Sequence, residues 1–193
     1  TLGTAAGVTP LANSAVYLDR DGVLNEVRMD GATVASPHTL VEFTLLPGVV
    51  DAVGRLLHRG VPVIVVTNQP DLARGTLEPI HLDAMHDLLL DAVGVTAVEV
   101  CPHTAADGCT CRKPAPGLLV RSAERLGTEL AASWMVGDRW VDIAAGRDAG
   151  TRTVLVDQPW SWAATSSGAP PDGLVADHRV RDLAEAVELI LTN

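Results

Sequence analysis

Four apolar, β-branched runs constrain this chain more than any other feature: AVYLD at 15–19, VPVIVVT at 61–67, WMVGD at 134–138 and TVLVD at 153–157. Each is continuous rather than alternating, as a strand buried on both faces of a parallel sheet requires. A weaker run, AVEVC at 97–101, leads into a cysteine-rich stretch. Between the runs lie helical stretches, GVVDAVGRLLHRG (48–60), IHLDAMHDLLLDAVG (80–94), GLLVRSAERLG (117–127) and DIAAGRDAG (142–150), and VRDLAEAVELILTN comes last. Strands alternating with helices predict βαβ units, hence an α/β fold: a three-layer Rossmann-like sandwich with a mainly parallel sheet. The turn-rich SWAATSSGAPPDG at 161–173 reads as a surface loop.

Length and charge narrow the classes. A chain of 193 residues, 47% hydrophobic and 20% charged, suits one globular domain, expected over 15–193 after a flexible leader at 1–14. A net charge of −10 argues against nucleic acid or an anionic membrane as partner. No apolar run reaches spanning length, and TLGTAAGVTPLANS lacks the basic and apolar blocks of a secretory signal. Three cysteines gathered in one patch do not make a disulfide framework and fit a reducing compartment. The expectation is a cytoplasmic monomer.

Folds of this class place their chemistry beyond the carboxyl ends of the strands, and the polar candidates fall there. Asp19 and Asp21 end the first run, Thr67 and Asn68 the second, and Asp138 and Asp142 follow the run at 134–138. Each has a plain structural alternative: an Asp pair in a turn, or a helix cap. The chemical reading links them. A carboxylate at a strand tip can attack phosphorus and form an aspartyl-phosphate. Bringing that anion to a phosphate dianion calls for a hard cation, Mg²⁺, on oxygens from Asp19 and Asp138. Asp21 would protonate the leaving alkoxide, which predicts a pKa above the usual value of about 3.9. Thr67 and Asn68 offer donors to phosphate oxygens, and Lys113 offers a point charge.

Taken in order, DRDGVLN, VVTNQ, CRKP and VGDRWVD resemble the four motifs of the haloacid dehalogenase-like phosphatases, and together they span residues 15 to 142. The resemblance implies Asp19 as nucleophile and Asp21 as acid/base that also lends a backbone carbonyl to Mg²⁺. It further implies that Thr67 and Lys113 hold the phosphate, that Asp138 completes the metal site, and that Asp142 acts behind it.

Cys101, His103, Cys109 and Cys111 follow a C-x-H-x5-C-x-C spacing. Three thiolates and one imidazole make a closed tetrahedral set suited to structural Zn²⁺; the alternative is three buried apolar cysteines and an exposed histidine. A zinc ion would replace the core that residues 102–110 lack and fix the loop carrying Lys113. This combination resembles the branch of heptose bisphosphate and histidinol-phosphate phosphatases. It implies a small phosphorylated metabolite as partner: a sugar bisphosphate, D-glycero-D-manno-heptose 1,7-bisphosphate losing its 7-phosphate, with histidinol phosphate as the alternative. A catalytically silent phosphate-binding module on the same fold is the reading from another class.

NQPDLARG at 68–75 resembles the heptose enzymes' N-Q-S-G-x-A-R-G loop with Pro70 and Asp71 in place of Ser-Gly, while the gap of five residues from His103 to Cys109 matches the histidinol type. Arg74 and Arg112 are candidates for a second phosphate or sugar hydroxyls. Little more than twenty residues separate the first motif from the first helix, room for a minimal loop cap, stapled by the zinc. His38, His58, His81, His86 and His178 read as surface or helix-face residues. Trp134, Trp140, Trp160 and Trp162 read as packing residues, with Trp160 and Trp162 able to stack on a sugar. Arg139 is placed to pair with a carboxylate.

Overall fold

A computed structural model describes residues 13–30 and 33–193; residues 1–12, most of the expected leader, lie outside that range. Strands β1 (Val16–Leu18), β4 (Val63–Asn68), β5 (Ala97–Cys101), β6 (Trp134–Gly137), β7 (Arg152–Val156) and β8 (His178–Val180) form a six-stranded sheet in the order β5-β4-β1-β6-β7-β8. Every pairing in it is parallel. The four apolar runs became β1, β4, β6 and β7, and the weaker run became β5, half-buried because it is an edge.

Alternation along the strands feeds two cores. Val16, Leu18, Val63, Val65, Trp134 and Val136 pack with helices α1 (Val49–His58), α3 (Pro79–Leu88) and α6 (Leu183–Thr192). Tyr17, Ile64, Val66 and Met135 point the other way, onto α4 (Gly117–Leu126) and α5 (Trp140–Ala149). This is the three-layer arrangement that continuous apolar strands require. Trp134 is fully buried, with the Arg152 guanidinium 3.8 Å over its ring and His178 tilted against it.

Three elements escaped the sequence reading. Strand β8 has only Val180 buried among its three residues, so no apolar run marks it. The interval after β1, the place of the expected loop cap, holds an antiparallel hairpin, β2 (Arg28–Asp30) with β3 (Thr33–Ala35), placed as a cap would be. A single turn, α2 (Asp71–Arg74), follows β4 and ends at Gly75 in the left-handed region. Among the described residues no helix is long and apolar enough to cross a membrane.

The chain leaves β1 through Gly22, with φ +85°, and a Cβ at this position would lie 2.3 Å from Asp138 Oδ2. Glycine is needed twice over, for the left-handed conformation and for the contact. We expect Gly22→Ala to lower the unfolding free energy in urea by about 1 kcal/mol or more; an unchanged midpoint would contradict this account.

Candidate active site

Register brings the site together. Leu18 pairs with Val65 on one side and Val136 on the other, so Asp19 lies one step short of Thr67 and Asp138 on the neighbouring strands. Lys113, 1% exposed, arrives from the loop before α4 and places Nζ 2.8 Å from Asp19 Oδ1 and 2.6 Å from Asp142 Oδ1. Asn68 clamps its backbone in both directions: Nδ2 donates to Lys113 O and Oδ1 accepts from Lys113 N, each at 3.0 Å. Asn68, expected to donate to phosphate, thus also fixes the lysine, and it lines the pocket beside Thr67. Thr67 Oγ1 accepts from Gln69 Nε2 at 2.9 Å, which leaves its own proton to donate into the pocket.

Oxygens of Asp19, Asp138 and Asp142 lie within 4.8 Å of one another. Burial and then the Asp142 charge push Asp19 up to about 7, against the pull of Lys113. Burial, Asp19 and Asp142 likewise hold Asp138 well above the carboxylate range. For Lys113, burial works against the charge, but Asp142 and Asp19 prevail and raise it to about 12. One ammonium cannot hold three such crowded carboxyls ionised, which is why Asp19 and Asp138 retain protons that a divalent cation would displace. The donors fit such an ion. Asp138 Oδ1 is buried and without a partner, while Oδ2 accepts from the Trp160 indole. Both oxygens of Asp142 are engaged, Oδ1 by Lys113 and Oδ2 by Arg139 N, so Asp142 stands behind the cation site. Gly137 admits it, since a Cβ there would meet the Asp142 side chain at 2.2 Å.

Asp21 differs from expectation. Burial alone would raise its pKa, but the Arg20 charge and hydrogen bonds from Asn25, Ser36 and Gln69 lower it instead. Arg20 donates from Nε and Nη2 at 3.0–3.1 Å, and Asn25, Ser36 and Gln69 donate at 2.9, 2.8 and 3.0 Å. Sequence reasoning weighed only the neighbouring carboxylate and passed over Arg20, although DRDG places it between the two acids. Arg20 is itself fully buried, 5.5 Å from the Phe43 ring, and donates to His86 Nε2 at 3.3 Å. His86 is therefore a buried acceptor and not a surface residue; burial and Arg20 lower its pKa to about 4.

The pocket over these groups has a volume of about 540 Å³. Its walls include the hairpin, α2, Arg112 and residues 164–167, so part of the expected surface loop faces the site. Arg112, half-buried, donates to His103 O and to Ser166 Oγ. Arg74 is paired with Asp71 at 2.9 Å, and His38, also on the wall, shares that carboxylate at 3.0 Å. Trp140 and Trp162 pack as expected, whereas Trp160 reaches Asp138; neither Trp160 nor Trp162 lines the pocket. Arg139 also lines it and meets a carboxylate through its backbone, its N–H donating to Asp142 Oδ2 at 3.0 Å.

Cys101, His103, Cys109 and Cys111 converge, with Sγ and Nδ1 atoms separated by 3.3–3.7 Å. Ligands on a tetrahedral zinc stand roughly 3.3–3.8 Å apart. The cluster lies between β5 and α4 rather than in the cap hairpin, and reaches the pocket through Arg112 and Lys113.

A family model, Hydrolase_like (HAD-hydrolase-like), matches residues 110–185. The D-glycero-beta-D-manno-heptose-1,7-bisphosphate 7-phosphatase of Pseudomonas aeruginosa is 36% identical over 186 residues, covering 94% of this chain and 99% of that protein. The chain belongs to the haloacid dehalogenase-like phosphatases. The enzyme of the same name from Bordetella bronchiseptica is 37% identical over 91% of this chain and 97% of its own length. A crystal structure of D,D-heptose 1.7-bisphosphate phosphatase from B. bronchiseptica, complexed with magnesium and phosphate, superposes with a TM-score of 0.77 at 35% identity, covering 92% of this chain and 98% of that one. The corresponding Burkholderia thailandensis structure gives 0.64 at 28% identity, over 93% and 99%. The family expected from the four motifs is the family found.

Because Asp19 stays protonated below about 7 in the cation-free protein, a cation must displace that proton at lower pH. Affinity for Mg²⁺ by calorimetry should therefore fall as pH drops below 7, by up to about tenfold per pH unit for each proton displaced from Asp19 and Asp138. An affinity that rises on acidification would contradict this charge balance.

Proposed function

We propose that this phosphatase removes the 7-phosphate of D-glycero-D-manno-heptose 1,7-bisphosphate through an aspartyl-phosphate on Asp19. The observation that carries the chemistry is the convergence of Asp19, Asp138, Lys113 and the Thr67 hydroxyl at the floor of one pocket. Asp19 and Asp138 would hold Mg²⁺, which neutralises charge between nucleophile and phosphate and lowers the barrier to their approach. Lys113 and Thr67 orient the phosphate so that an Asp19 oxygen attacks phosphorus in line with the sugar oxygen. As the P–O bond to the sugar breaks, Asp21 gives a proton to the leaving alkoxide. It then takes one from the water that hydrolyses the aspartyl-phosphate.

With Asp21 held as a carboxylate in the empty site, its proton must accompany substrate. A phosphate dianion arriving opposite it disfavours the charged form and draws a proton in. Arg112, with its buried Nε unpartnered, supports a second anionic group at the mouth; Arg74 contributes only as far as it is released from Asp71. A bisphosphate matches this better than histidinol phosphate, whose far end is cationic. The cysteine–histidine cluster is read as a structural zinc site that fixes the loop carrying Arg112 and Lys113.

Phosphate release should be fastest from the heptose bisphosphate and lower from histidinol phosphate and an aryl phosphate, and Asp19→Asn should reduce it to background. Equal turnover by wild type and Asp19→Asn would reject the nucleophile, and with it the distinction from a silent module. Removing Lys113 as Lys113→Ala is expected to cost roughly 10²–10³-fold in kcat. For the second metal, elemental analysis should find about one zinc per chain that persists without Mg²⁺. Cys109→Ser should lose that zinc and lower activity; full activity without zinc would sink its structural role.

A further inference from the structure

The start of the loop after β7, residues 157–161, lines no wall of the pocket, yet it is fastened around Asp138. Gln158 N donates to Ser161 Oγ at 2.9 Å, and that hydroxyl donates to the Asp138 backbone carbonyl at 2.6 Å. Trp140 N, at the start of α5, donates to Ser161 O at 2.9 Å, and Ser161 is fully buried. This anchoring delivers the Trp160 indole N–H to Asp138 Oδ2. Gly22 also lies against Oδ2, so close that a Cβ there would collide with it. Oδ1 alone is left buried and unpartnered.

We infer that Trp160 is a positioning residue that restricts Asp138 to a single ligand oxygen and thereby favours Mg²⁺ over Ca²⁺ at this site. Mg²⁺ demands a near-ideal octahedron built from single oxygens, whereas Ca²⁺ takes six to eight ligands and readily accepts both oxygens of a carboxylate. An indole bound to Oδ2 removes the second oxygen from use. Asp19 is restricted in a similar way, because Lys113 Nζ and Arg20 N, at 2.8 and 2.7 Å, both occupy its Oδ1. Two carboxylates limited to one oxygen each form a site with too few ligands for the larger ion. The inference rests on the cation site proposed above.

The test is calorimetric titration of the phosphate-free protein with Mg²⁺ alone and with Ca²⁺ alone, for wild type and Trp160→Phe. Without the indole, Asp138 is free to turn and to offer both oxygens. Mg²⁺ affinity should then drop about tenfold, as is usual when a partner behind a metal ligand is lost. Ca²⁺ affinity should hold or rise, so the Mg²⁺/Ca²⁺ ratio falls. A loop that merely supports the fold would weaken both ions by the same factor, and that outcome, or no change in either, overturns the inference. Should the phenylalanine variant not fold, Trp160→Leu takes its place with the same two outcomes. A wild-type protein that binds no Mg²⁺ would reject the cation site itself, which separates failure of the broader reading from failure of this one.

Discussion

The ion contacts of Lys113 organise this molecule. A buried ammonium is costly unless paired, and here it is paired twice, with Asp19 from β1 and Asp142 from α5. Three elements that share no local sequence are joined at one nitrogen atom. Asn68, at the end of β4, fixes the backbone that carries it, so a fourth element enters the same arrangement. Even so the charges do not balance, because Asp138 adds a carboxylate that the lysine does not touch. The site is assembled with more carboxyls than one ammonium can hold ionised, an arrangement that a cation, and through it a phosphate, would relieve. A chain of net charge −10 can thus handle an anionic substrate without a basic surface.

Asp19 and Asp21 are separated by one residue but stand in opposed environments. Asp19 is crowded by other carboxylates and its proton affinity rises; Asp21 is surrounded by donors and its proton affinity falls. Environments that push two acids apart are how acid and base roles are divided. The direction here is opposite to what the final roles need, since the nucleophile should be ionised and the acid protonated. A cation on Asp19 lowers its pKa, and a phosphate dianion near Asp21 raises the other. In the proposed mechanism, ligands would complete the inversion of the two acids. Arg20 is central to this, because its bidentate grip on Asp21 is buried and out of competition with water.

Much of this was legible in the sequence, for physical reasons that particular residues make plain. Strands buried on both faces must be continuously apolar, so β1, β4, β6 and β7 announced themselves, and the carboxylates at their ends followed. Strand β8 carries His178 and Arg179, so periodicity had nothing to register. The hairpin at 28–35 is short and lines a pocket, where side-chain chemistry outweighs propensity. Long-range contacts were invisible for a different reason. Nothing in the sequence spacing of Trp160 and Asp138, or of Arg20 and His86, marks them as partners; only the sheet order brings them together. The backbone clamp of Asn68 on Lys113 was likewise invisible, since the two residues lie 45 positions apart.

The mouth of the pocket is where this chain departs from the loop it resembles, and the departure has an electrostatic consequence. Asp71, where that loop has glycine, accepts from Arg74 at one oxygen and from His38 at the other. A carboxylate at this position ties α2 to the segment that follows the cap hairpin and takes up the charge of Arg74. Any second phosphate must compete with Asp71 for that guanidinium. Arg112 faces no such rival, since its contacts are a carbonyl and a hydroxyl, both neutral and both weaker than a phosphate. In the proposed reading, recognition of the far end of a substrate would therefore fall mainly on Arg112, which is borne by the same loop as Lys113. If a zinc ion fixes this loop, the cysteine–histidine cluster would set the position of both Arg112 and Lys113, and so of the groups proposed to meet the two ends of the substrate.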